Sequence, residues 1–441
     1  MLDQPRQNTA HNNNAIRNTA LGLMGLFIGM LIFIVGVTVG AVLTRPGGLL
    51  FTGASPFPPS GTSTNLPAIG SSRSGEKAQL NNVLIDDVLT RVRREWYGDF
   101  PNNDKLTDGA IRGMLNSLGD QFTQYVEPKL AQVMEDDMSG AFDGVGATIK
   151  QNGHGDIQIV RTYPGMPADK AGVLAGDTIE SVNGQRVTGM GTNEVVALLR
   201  GPRGTQVKLS LRRADSPKTF ELSITRDRIE IQLVTSKMVG NGQVGYVSLN
   251  EFSRPASEKL EKDIKALLDK KPKAIILDLR DNPGGLLQQA VEVGDIFLKE
   301  GPYVIERNFD GKKSVLSTSN DGIAQDIPMV VLVNSGSASA SEIVAGALQD
   351  YGRAKLFGET TFGKGSVQST QRLSNGGQLR ITIQHWFTPK DRGIHGTGIA
   401  PDYVVVNTPA DTKANRDPQL DAAVDYLLKG KTPAATAMPA P

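Results

Sequence analysis

Hydrophobic positions along the chain form blocks of different period, and the first block is a continuous apolar run. Residues 21–43 read LGLMGLFIGMLIFIVGVTVGAVL, and no charge lies between Arg17 and Arg45. At the rise of an α-helix this run is about 35 Å long, enough to cross the hydrocarbon core of a bilayer. The run predicts a transmembrane signal-anchor over residues 19–44, preceded by an N-terminal segment of residues 1–18. A cleaved signal peptide is the alternative, although such peptides have a shorter apolar region.

A polar linker and two amphipathic helices follow the apolar run. Residues 45–75 are rich in Pro, Gly, Ser and Thr and show little periodicity, so they predict a flexible linker. Residues 76–138 repeat hydrophobic positions at helical spacing on both sides of a Pro-Asn-Asn break. The two stripes consist of Leu80, Val83, Leu84, Val88, Val92 and Trp96, and of Ile111, Met114, Leu115 and Leu118. This pattern predicts a helical N-terminal region.

Short strands, and then mixed strands and helices, fill the rest of the chain. Residues 139–228 show alternating hydrophobic strands around a turn-rich stretch. Residues 229–408 contain two apolar strands, KAIILDLR and PMVVLVN, which each run through a small-residue turn into a helical pattern. Residues 409–441 end the chain with a helix between Asp417 and Gly430 and a Pro/Ala-rich tail. The pattern predicts a multidomain α+β fold.

Composition limits the chemistry that this fold can carry. At 441 residues the chain is long enough for several domains, each with its own core. A formal net charge of +1, without long runs of one sign, gives no electrostatic footprint for nucleic acid. The absence of cysteine excludes disulfides, thiolate nucleophiles and cysteine-bound metals. The chemistry must therefore come from oxygen and nitrogen side chains.

Four serines crowd the junction NSGSASASEIVAGALQD between the second apolar strand and its helix. Ser339 stands three residues before Glu342, which is the spacing of a capping box at a helix start. The same position places a hydroxyl where the helix dipole and free amides stabilise a developing negative charge. The residues alone leave both roles open, helix cap and nucleophile. The other serines, Ser335, Ser337 and Ser341, are expected to bond nearby backbone groups.

A serine nucleophile needs a base, which is most often a histidine. The chain has four histidines, and none of them is in a favourable position. They are His11 before the apolar run, His154 in a polar turn, and His385 and His395 in or beside a late strand. Lysine is the remaining candidate for the base.

Lys364 stands between two glycines in the stretch GETTFGKGSVQS. An extended backbone there presents Lys364, Ser366 and Gln368 on one face. Burial would lower the pKa of this lysine, and a neutral amine held in position by Gln368 would then accept the proton of a serine. The alternative, from the residues alone, is a solvated lysine in a glycine loop.

The block of residues 139–228 resembles a PDZ domain in its permuted bacterial arrangement. The resemblance rests on the stretches GVGATI, PADKAG and GDTIESVNG. It implies that the loop of Gly144, Val145, Gly146 and Ala147 holds a carboxylate with its backbone amides, and that the next strand pairs with an extended peptide. A C-terminal protein tail is the implied ligand. Whether the block binds tails or only packs on its neighbour stays open.

Four motifs, in order and after the PDZ-like block, resemble the carboxyl-terminal processing (tail-specific) serine protease family. They are DLRDNPGG, NSGSASASEIVAGALQD, TTFGKGSVQ and IHGTGIAPD. The resemblance implies a serine endopeptidase with crotonase/ClpP-like β-turn-α units, an acyl-enzyme route, and no metal, nucleotide or other cofactor. It assigns Ser339 as nucleophile, Lys364 as general base and Gln368 as the residue that orients the lysine.

The same resemblance implies an oxyanion hole, partners and a location. The oxyanion-hole amides are those of Ala340 and Gly285, where a glycine lets the backbone approach the scissile carbonyl closely. Glu342 matches an acidic position of the family and is assigned a supporting role. The implied partners are protein or peptide substrates with free, unstructured or apolar C-terminal tails, and the membrane through the N-terminal helix. A homo-oligomer is left open. The implied location is membrane-anchored, with the catalytic domains outside the cytoplasm, in the periplasm or on the outer face of the cell membrane.

Two rival functions fit parts of the same sequence. A membrane-tethered PDZ adaptor with an inactive protease fold would bind tails without cutting them, and intact Ser339, Lys364 and Gln368 argue against it. An acyl-transfer or hydratase enzyme would use similar β-turn-α units, and the inserted PDZ-like block argues against that function. The residues therefore favour a peptidase.

Overall fold

The structure, a computed structural model, describes residues 79–213 and 218–433. Three helices lie near the start of these residues, and the first two overlap the predicted hydrophobic stripes. They are α1 (Asn82–Glu95), α2 (Asn103–Asn116) and, after the short strand β1 (Gln124–Val126), α3 (Pro128–Met138). Asn81 and Asn102 cap the first two helices through their side-chain oxygens. No residue of α1 is buried, so its hydrophobic stripe faces away from the core.

An antiparallel sheet of six strands forms the PDZ-like block. Its strands are β3 (Ala147–Gln151), β4 (Ile157–Thr162), β5 (Thr178–Val182), β6 (Gln185–Arg186), β7 (Gln206–Arg212) and β8 (Thr219–Thr225). They follow the spatial order β3-β4-β5-β7-β8, with β6 beside β5. Helices α4 (Pro167–Lys170) and α5 (Thr192–Leu199) accompany the sheet. Val207, Leu209 and Leu211 are buried, so the period of two marks the core face.

The PDZ-like block is attached to the helical N-terminal region by a short ribbon and an arginine. β2 (Ala141–Gly144) and β9 (Asp227–Glu230) pair antiparallel where the chain enters and leaves the block. Arg200 donates to Val133 O at 2.9 Å and to Asp137 Oδ1 at 2.6 Å in α3. Its guanidinium also lies 4.1 Å from the centroid of the Phe142 ring. These contacts fix the end of α5 against α3.

A second sheet of six strands forms the core of the later block. Its strands, in spatial order, are β10 (Val234–Val239), β11 (Val244–Leu249), β12 (Ala274–Asp278), β15 (Met329–Val333), β16 (Lys355–Gly358) and β19 (Tyr403–Val404). All neighbours are parallel except β10 and β11. One face packs on α6 (Ala256–Leu268), α7 (Leu287–Phe297) and α8 (Ala340–Asp350), and the other on α10 (Pro418–Lys429). Burial on both faces explains the continuous apolar runs of the sequence.

A smaller sheet joins the helical N-terminal region to the segment that carries Lys364. It contains β1, β13 (Gly301–Asn308), β14 (Lys313–Thr318), β17 (Ser366–Arg372) and β18 (Gln378–Phe387). The spatial order is β1-β18-β13-β14, and β17 also pairs with β18. Because β17 begins two residues after Lys364, this sheet brings β1 close to that lysine.

The closing helix begins and ends at the residues that the sequence predicts. After the short helix α9 (Pro409–Lys413), the Asp417 side chain accepts from Leu420 N at 3.0 Å and caps α10. Gly430 follows the last turn with a φ of 64°, the left-handed conformation that ends many helices.

The fold class inferred from the sequence needs a correction at its N-terminus. The predicted transmembrane helix of residues 19–44 lies outside the described residues, as does the predicted linker of residues 45–75. The longest helices of the described ranges have 14 residues, or about 21 Å at helical rise, against a bilayer core of about 30 Å. None of the helices there is long and apolar enough to span a membrane. The fold is a mixed α/β core with a PDZ-like domain and a helical N-terminal region.

Candidate active site

The two strand-to-helix junctions that the sequence singles out lie side by side. β12 and β15 are neighbouring parallel strands, so the turns that follow them meet at one edge of the sheet. Asn282 O accepts from Ala338 N at 3.0 Å and from Ser341 Oγ at 2.8 Å. Ser337 Oγ donates to Leu279 O at 2.7 Å. The structural roles expected for Ser337 and Ser341 are confirmed, and these bonds join the two turns.

Ser339 occupies a strained backbone position at the start of α8. Its φ of 55° and ψ of −114° lie in a region that residues with a side chain rarely adopt. Strain of this kind costs about 1–3 kcal/mol and concentrates at functional sites, where the surrounding structure enforces it. An ordinary N-cap residue has backbone angles in the β region. The geometry therefore favours a role for Ser339 beyond helix capping.

Gly284, the first glycine of the DNPGG turn, packs against this serine. A Cβ built on Gly284 would lie 2.8 Å from both Ser339 Cβ and Ala340 N, so the position has no room for a side chain. Gly284 N donates to Asn282 Oδ1 at 2.9 Å. The amides of Gly285 and Ala340, in contrast, donate to no other described residue. Unpartnered amides next to the serine are the donors that an oxyanion requires.

A buried carboxylate holds the serine and lysine segments together. Glu342 Oε2 accepts from Ser339 N at 2.8 Å and from Lys364 N at 2.9 Å. Because both amides bond one oxygen, their nitrogens lie less than about 6 Å apart. Oε1 accepts from Thr361 Oγ1 at 2.6 Å and from Gly363 N at 2.7 Å. The Glu342 side chain is 0% exposed, and burial raises its pKa against the effect of these four bonds. Glu342 is thus the support of both segments.

Lys364 is surrounded by groups that act on its charge. Burial lowers the pKa of Lys364, and the positive charge of Arg380 lowers it further. The negative charges of Glu342 and Asp120 act in the opposite direction. The Lys364 Nζ also lies 5.2 Å from the centroid of the Phe122 ring. A lowered pKa makes the neutral amine easier to reach, and the neutral amine is the form in which a lysine accepts a proton as a general base.

Gln368 lies close to the lysine segment but bonds other residues. Its Nε2 donates to Ser366 Oγ at 2.8 Å and to Thr382 Oγ1 at 3.3 Å. Among the described residues, no hydrogen bond joins Gln368 to the Lys364 amine. The lysine backbone is instead fixed from the other side, where Trp386 Nε1 donates to Lys364 O at 3.0 Å. Orientation of the amine by Gln368 stays a prediction.

Sequence reasoning missed the residues that the N-terminal region places beside Lys364. Asp120 and Phe122 precede β1, and the pairing of β1 with β18 brings them to the site. The Phe122 ring lies 6.0 Å from the His395 ring, which lies 4.8 Å from the ring of His385. No spacing within the sequence signals this cluster, because its members come from distant parts of the chain.

The loop predicted to hold a carboxylate, Gly144, Val145, Gly146 and Ala147, leads into the edge strand of the PDZ-like sheet. Within that sheet β3 pairs with β4 only, so its other edge is open. The amides of Val145 and Gly146 donate to no other residue of the described ranges. Gly146 has a φ of 74°, and a Cβ there would lie 2.6 Å from Met166 Cβ. Free amides and an open strand edge are what the addition of a peptide strand requires.

Comparisons with known proteins agree with this geometry. The model of peptidase family S41 matches residues 243–405, and that of the PDZ domain matches residues 158–213. The chain is 38% identical over 360 residues to the carboxy-terminal processing protease CtpA of Bacillus subtilis, across 81% of this chain and 76% of that protein. The chain belongs to the carboxy-terminal processing proteases of peptidase family S41. It is a serine-type peptidase with a PDZ domain, as its motifs predict.

A second relative supports the family, and a solved structure supports the fold. The carboxy-terminal-processing protease of Bartonella bacilliformis is 40% identical over 331 residues, which cover 72% of this chain and 74% of that protein. A crystal structure assigned to an S41 protease of Bacteroides fragilis covers 80% of this chain and 99% of its own, with a TM-score of 0.50 and 19% identity. At that identity the structural likeness shows the fold alone.

Replacing Glu342 with alanine should separate the serine and lysine segments. Four donors would lose their acceptor, and each buried donor left unpaired costs about 1–3 kcal/mol, so the free energy of unfolding should fall by at least about 3 kcal/mol. We expect kcat/KM to fall by at least about 100-fold, because small displacements of catalytic groups have effects of that size. Urea unfolding and hydrolysis of a tailed reporter measure the two effects. A folded Glu342→Ala variant with the kcat/KM of the wild type would contradict the supporting role. Glu342→Gln keeps one acceptor oxygen, so its stability and its kcat/KM should lie between those of the wild type and those of Glu342→Ala.

The pH profile of peptidase activity should follow the pKa of Lys364. With Lys364 as the predicted general base, the neutral amine is the active form, and kcat/KM should fall as the pH drops through that pKa, which lies below the ordinary value of 10.5. Arg380→Gln removes a charge that lowers this pKa, so the acid limb should move to higher pH. Asp120→Asn removes a charge that raises the pKa, so its acid limb should move to lower pH.

Arg380→Lys is the matched control for these two variants, because it keeps the positive charge at the same position. Its acid limb should stay close to that of the wild type. Profiles of kcat/KM measured from acidic to alkaline pH compare all four proteins. If their acid limbs coincide, the charges of Arg380 and Asp120 have no effect on the base and this electrostatic account is wrong.

Proposed function

We propose that the protein cleaves peptide bonds near the free C-termini of protein substrates, with Ser339 as nucleophile and Lys364 as general base. The observation that carries the proposal is the single Glu342 oxygen that bonds both the Ser339 and the Lys364 amide. This bond brings the segments of nucleophile and base together. The lowered pKa of Lys364 makes its neutral form, which a base needs, easier to reach than in an ordinary lysine.

The proposed reaction passes through an acyl-enzyme. Ser339 Oγ attacks the scissile carbonyl carbon while its proton moves to the neutral Lys364 amine. The oxyanion of the tetrahedral intermediate accepts hydrogen bonds from the amides of Ala340 and Gly285. Lys364 then returns the proton to the leaving amine as the peptide bond breaks. A water molecule then attacks the ester carbonyl while its proton moves to the same amine. As the ester C–O bond breaks, Lys364 returns this proton to Ser339 Oγ, which frees the serine and releases the carboxylic acid product.

In this proposal Gln368 orients the Lys364 amine once substrate is bound. The support is its position, two residues beyond Ser366 in β17, with its amide already fixed by Ser366 and Thr382. Gln368 of β17 is paired with Thr382 of β18, so the two side chains share one face of these strands. On this face the Gln368 side chain is available next to the segment of Lys364.

The PDZ domain is proposed to receive the substrate tail. The unpartnered amides of Val145 and Gly146 supply donors for a terminal carboxylate, and the open edge of β3 supplies backbone groups for the residues before it. A tail bound in this way is extended, which is the conformation that a protease site also needs. The location of the catalytic domains outside the cytoplasm stays a prediction from the family resemblance.

Removal of either catalytic group should abolish cleavage. We expect Ser339→Ala and Lys364→Ala to lower the cleavage rate of a reporter with a free apolar tail by at least about 1000-fold, the scale of such losses in serine proteases. Mass spectrometry of the reporter gives both the rate and the cut position. Ser335→Ala, at an exposed serine of the same junction, is the matched control and should cleave like the wild type.

The same experiment separates the protease from an inactive PDZ adaptor. An adaptor would bind the tail but cleave it neither before nor after these substitutions. Cleavage by wild type that survives in Ser339→Ala would instead show that another residue is the nucleophile.

Tail recognition should depend on the terminal carboxylate. Binding of a fluorescent tail peptide to Ser339→Ala, followed by anisotropy, should be at least about 10-fold weaker when the peptide ends in an amide, since a charge-assisted hydrogen bond is lost. Gly146→Ala should weaken binding of the free acid as well, because its φ of 74° and the contact with Met166 leave no room for a Cβ. Equal affinities for acid and amide peptides would contradict recognition of the carboxylate by this loop.

A further inference from the structure

Arg380 is a partly buried arginine that has no partner in the described part of the chain. Its Nε is buried without a hydrogen bond, and no described residue forms a salt bridge with its guanidinium. Burial lowers the pKa of Arg380, and no neighbouring charge of the described residues acts against that effect. A charge that loses water without gaining an acceptor is unfavourable. An acceptor from outside the chain would remove this cost.

Four other arginines that are buried or partly buried show the contacts that such a side chain has elsewhere in this protein. Arg200 and Arg280 each bond an aspartate carboxylate at 2.6 Å. Arg226 and Arg353 donate to backbone carbonyl oxygens at 2.7–3.2 Å. Arg380 has neither kind of contact with a described residue, so its surroundings are not those of a structural arginine of this fold.

Arg380 lies on the strand face that borders Lys364. It is two residues before Thr382 in β18, so the two side chains point to the same face. Thr382 accepts from Gln368 Nε2 at 3.3 Å. The charge of Arg380 is close enough to lower the pKa of Lys364. Along β18, Arg380 is about 7 Å from Thr382, which is the length of two residues in an extended peptide.

The carboxylate of Asp120, which also acts on Lys364, is bonded to other groups. It accepts from Phe122 N at 3.0 Å and from Thr123 Oγ1 at 2.6 Å. No charge interaction with Asp120 contributes to the pKa of Arg380. The described residues therefore leave a positive charge near Lys364 without a carboxylate of its own.

A carboxylate is the acceptor that suits this arginine best. A guanidinium is planar and binds a carboxylate through two parallel hydrogen bonds, which are about twice as strong as bonds between neutral groups. The substrates of a peptidase carry carboxylates in Asp and Glu side chains and at the C-terminus. Because Arg380 is only partly buried, a bound peptide can reach its guanidinium.

We infer that Arg380 binds a carboxylate of the substrate close to the scissile bond and gives the protease a preference for an acidic group there. The inference rests on the proposed function, in which Ser339 and Lys364 cleave the peptide. The spacing along β18 places the preferred group about two residues from the cut. The carboxylate belongs to an Asp or Glu side chain or, where the cut lies that close to the end of the tail, to the C-terminus.

Paired reporter peptides test this preference. The members of a pair differ only in Glu against Gln at one of the three positions on either side of the cut, which mass spectrometry locates. At one position, the kcat/KM of the wild type should be at least about 10-fold higher for Glu, since a charge-assisted hydrogen bond contributes that much.

In Arg380→Gln the ratio of the two kcat/KM values should fall to about 1, because the carboxylate loses its donor. The rates are compared on the alkaline plateau of each pH profile, where the effect of Arg380 on the pKa of Lys364 no longer changes them. Any unfolded fraction of the variant lowers both rates equally and leaves the ratio unchanged.

Two further variants separate a bound carboxylate from a general effect of charge. Arg372→Gln removes an exposed arginine at the end of β17 that is farther from Lys364, and it should keep the ratio of the wild type. Arg380→Lys keeps the charge but loses the two parallel hydrogen bonds, so its ratio should lie between those of the wild type and Arg380→Gln. An equal loss in Arg372→Gln and Arg380→Gln would show a long-range effect of charge and overturn the inference.

Peptides with an amidated C-terminus distinguish the two sources of the carboxylate. A Glu-to-Gln ratio that survives amidation assigns the contact to the side chain. A preference for the free acid that persists in Gly146→Ala but is lost in Arg380→Gln assigns the contact to the terminal carboxylate.

Equal cleavage of every acidic and neutral pair by the wild type, with both the free acid and the amide, would show that Arg380 binds no substrate carboxylate. The proposed function is judged separately in the same experiment. Cleavage of the neutral peptides, and its loss in Ser339→Ala, do not depend on a preference for acidic groups.

Discussion

The site depends on one buried carboxylate with four donors. A fully buried charge is unfavourable unless hydrogen bonds replace the water that it loses, and Glu342 receives bonds from Ser339, Thr361, Gly363 and Lys364. These donors come from the start of α8 and from the segment between β16 and β17, which are separate parts of the chain. The need to satisfy a single side chain therefore brings the segments of Ser339 and Lys364 together.

The same constraint helps to hold the strained backbone of Ser339. Ser339 keeps a φ of 55° because its amide bonds Glu342, while Ala338, just before it, donates to Asn282 of the neighbouring turn. The turns can meet because β12 and β15 are adjacent, parallel and buried on both faces. Gly284 then fits against the serine where a Cβ would not. The sheet thus positions the turns, and the hydrogen bonds within and between them fix the local geometry.

Local features of the sequence predicted much of this architecture. The remaining contacts depend on pairing between segments that are distant in the chain, and local patterns do not predict such pairing. The two junctions, the closing helix from Asp417 and the strands of the PDZ domain follow from periodicity and capping, which act over a few residues. Asp120 and Phe122 could not be placed in this way, because the pairing of β1 with β18 brings them to Lys364. Arg380 has no local signal either, since its charge matters only through the fold. The prediction of a membrane-spanning helix rested on the length and apolarity of one run, and no described helix has those properties.

The helical N-terminal region contributes part of the environment of Lys364. α2 leads into the turn that carries Asp120 and Phe122, and Thr123 connects that turn to β18 by donating to Asp120 at 2.6 Å and accepting from Thr382 N at 3.0 Å. Thr382 in turn accepts from Gln368. The helical N-terminal region, which starts with α1, therefore positions the negative charge of Asp120 and the ring of Phe122 beside Lys364. Because nearby charges shift the pKa of Lys364, the placement of this region on the core affects the protonation of that lysine.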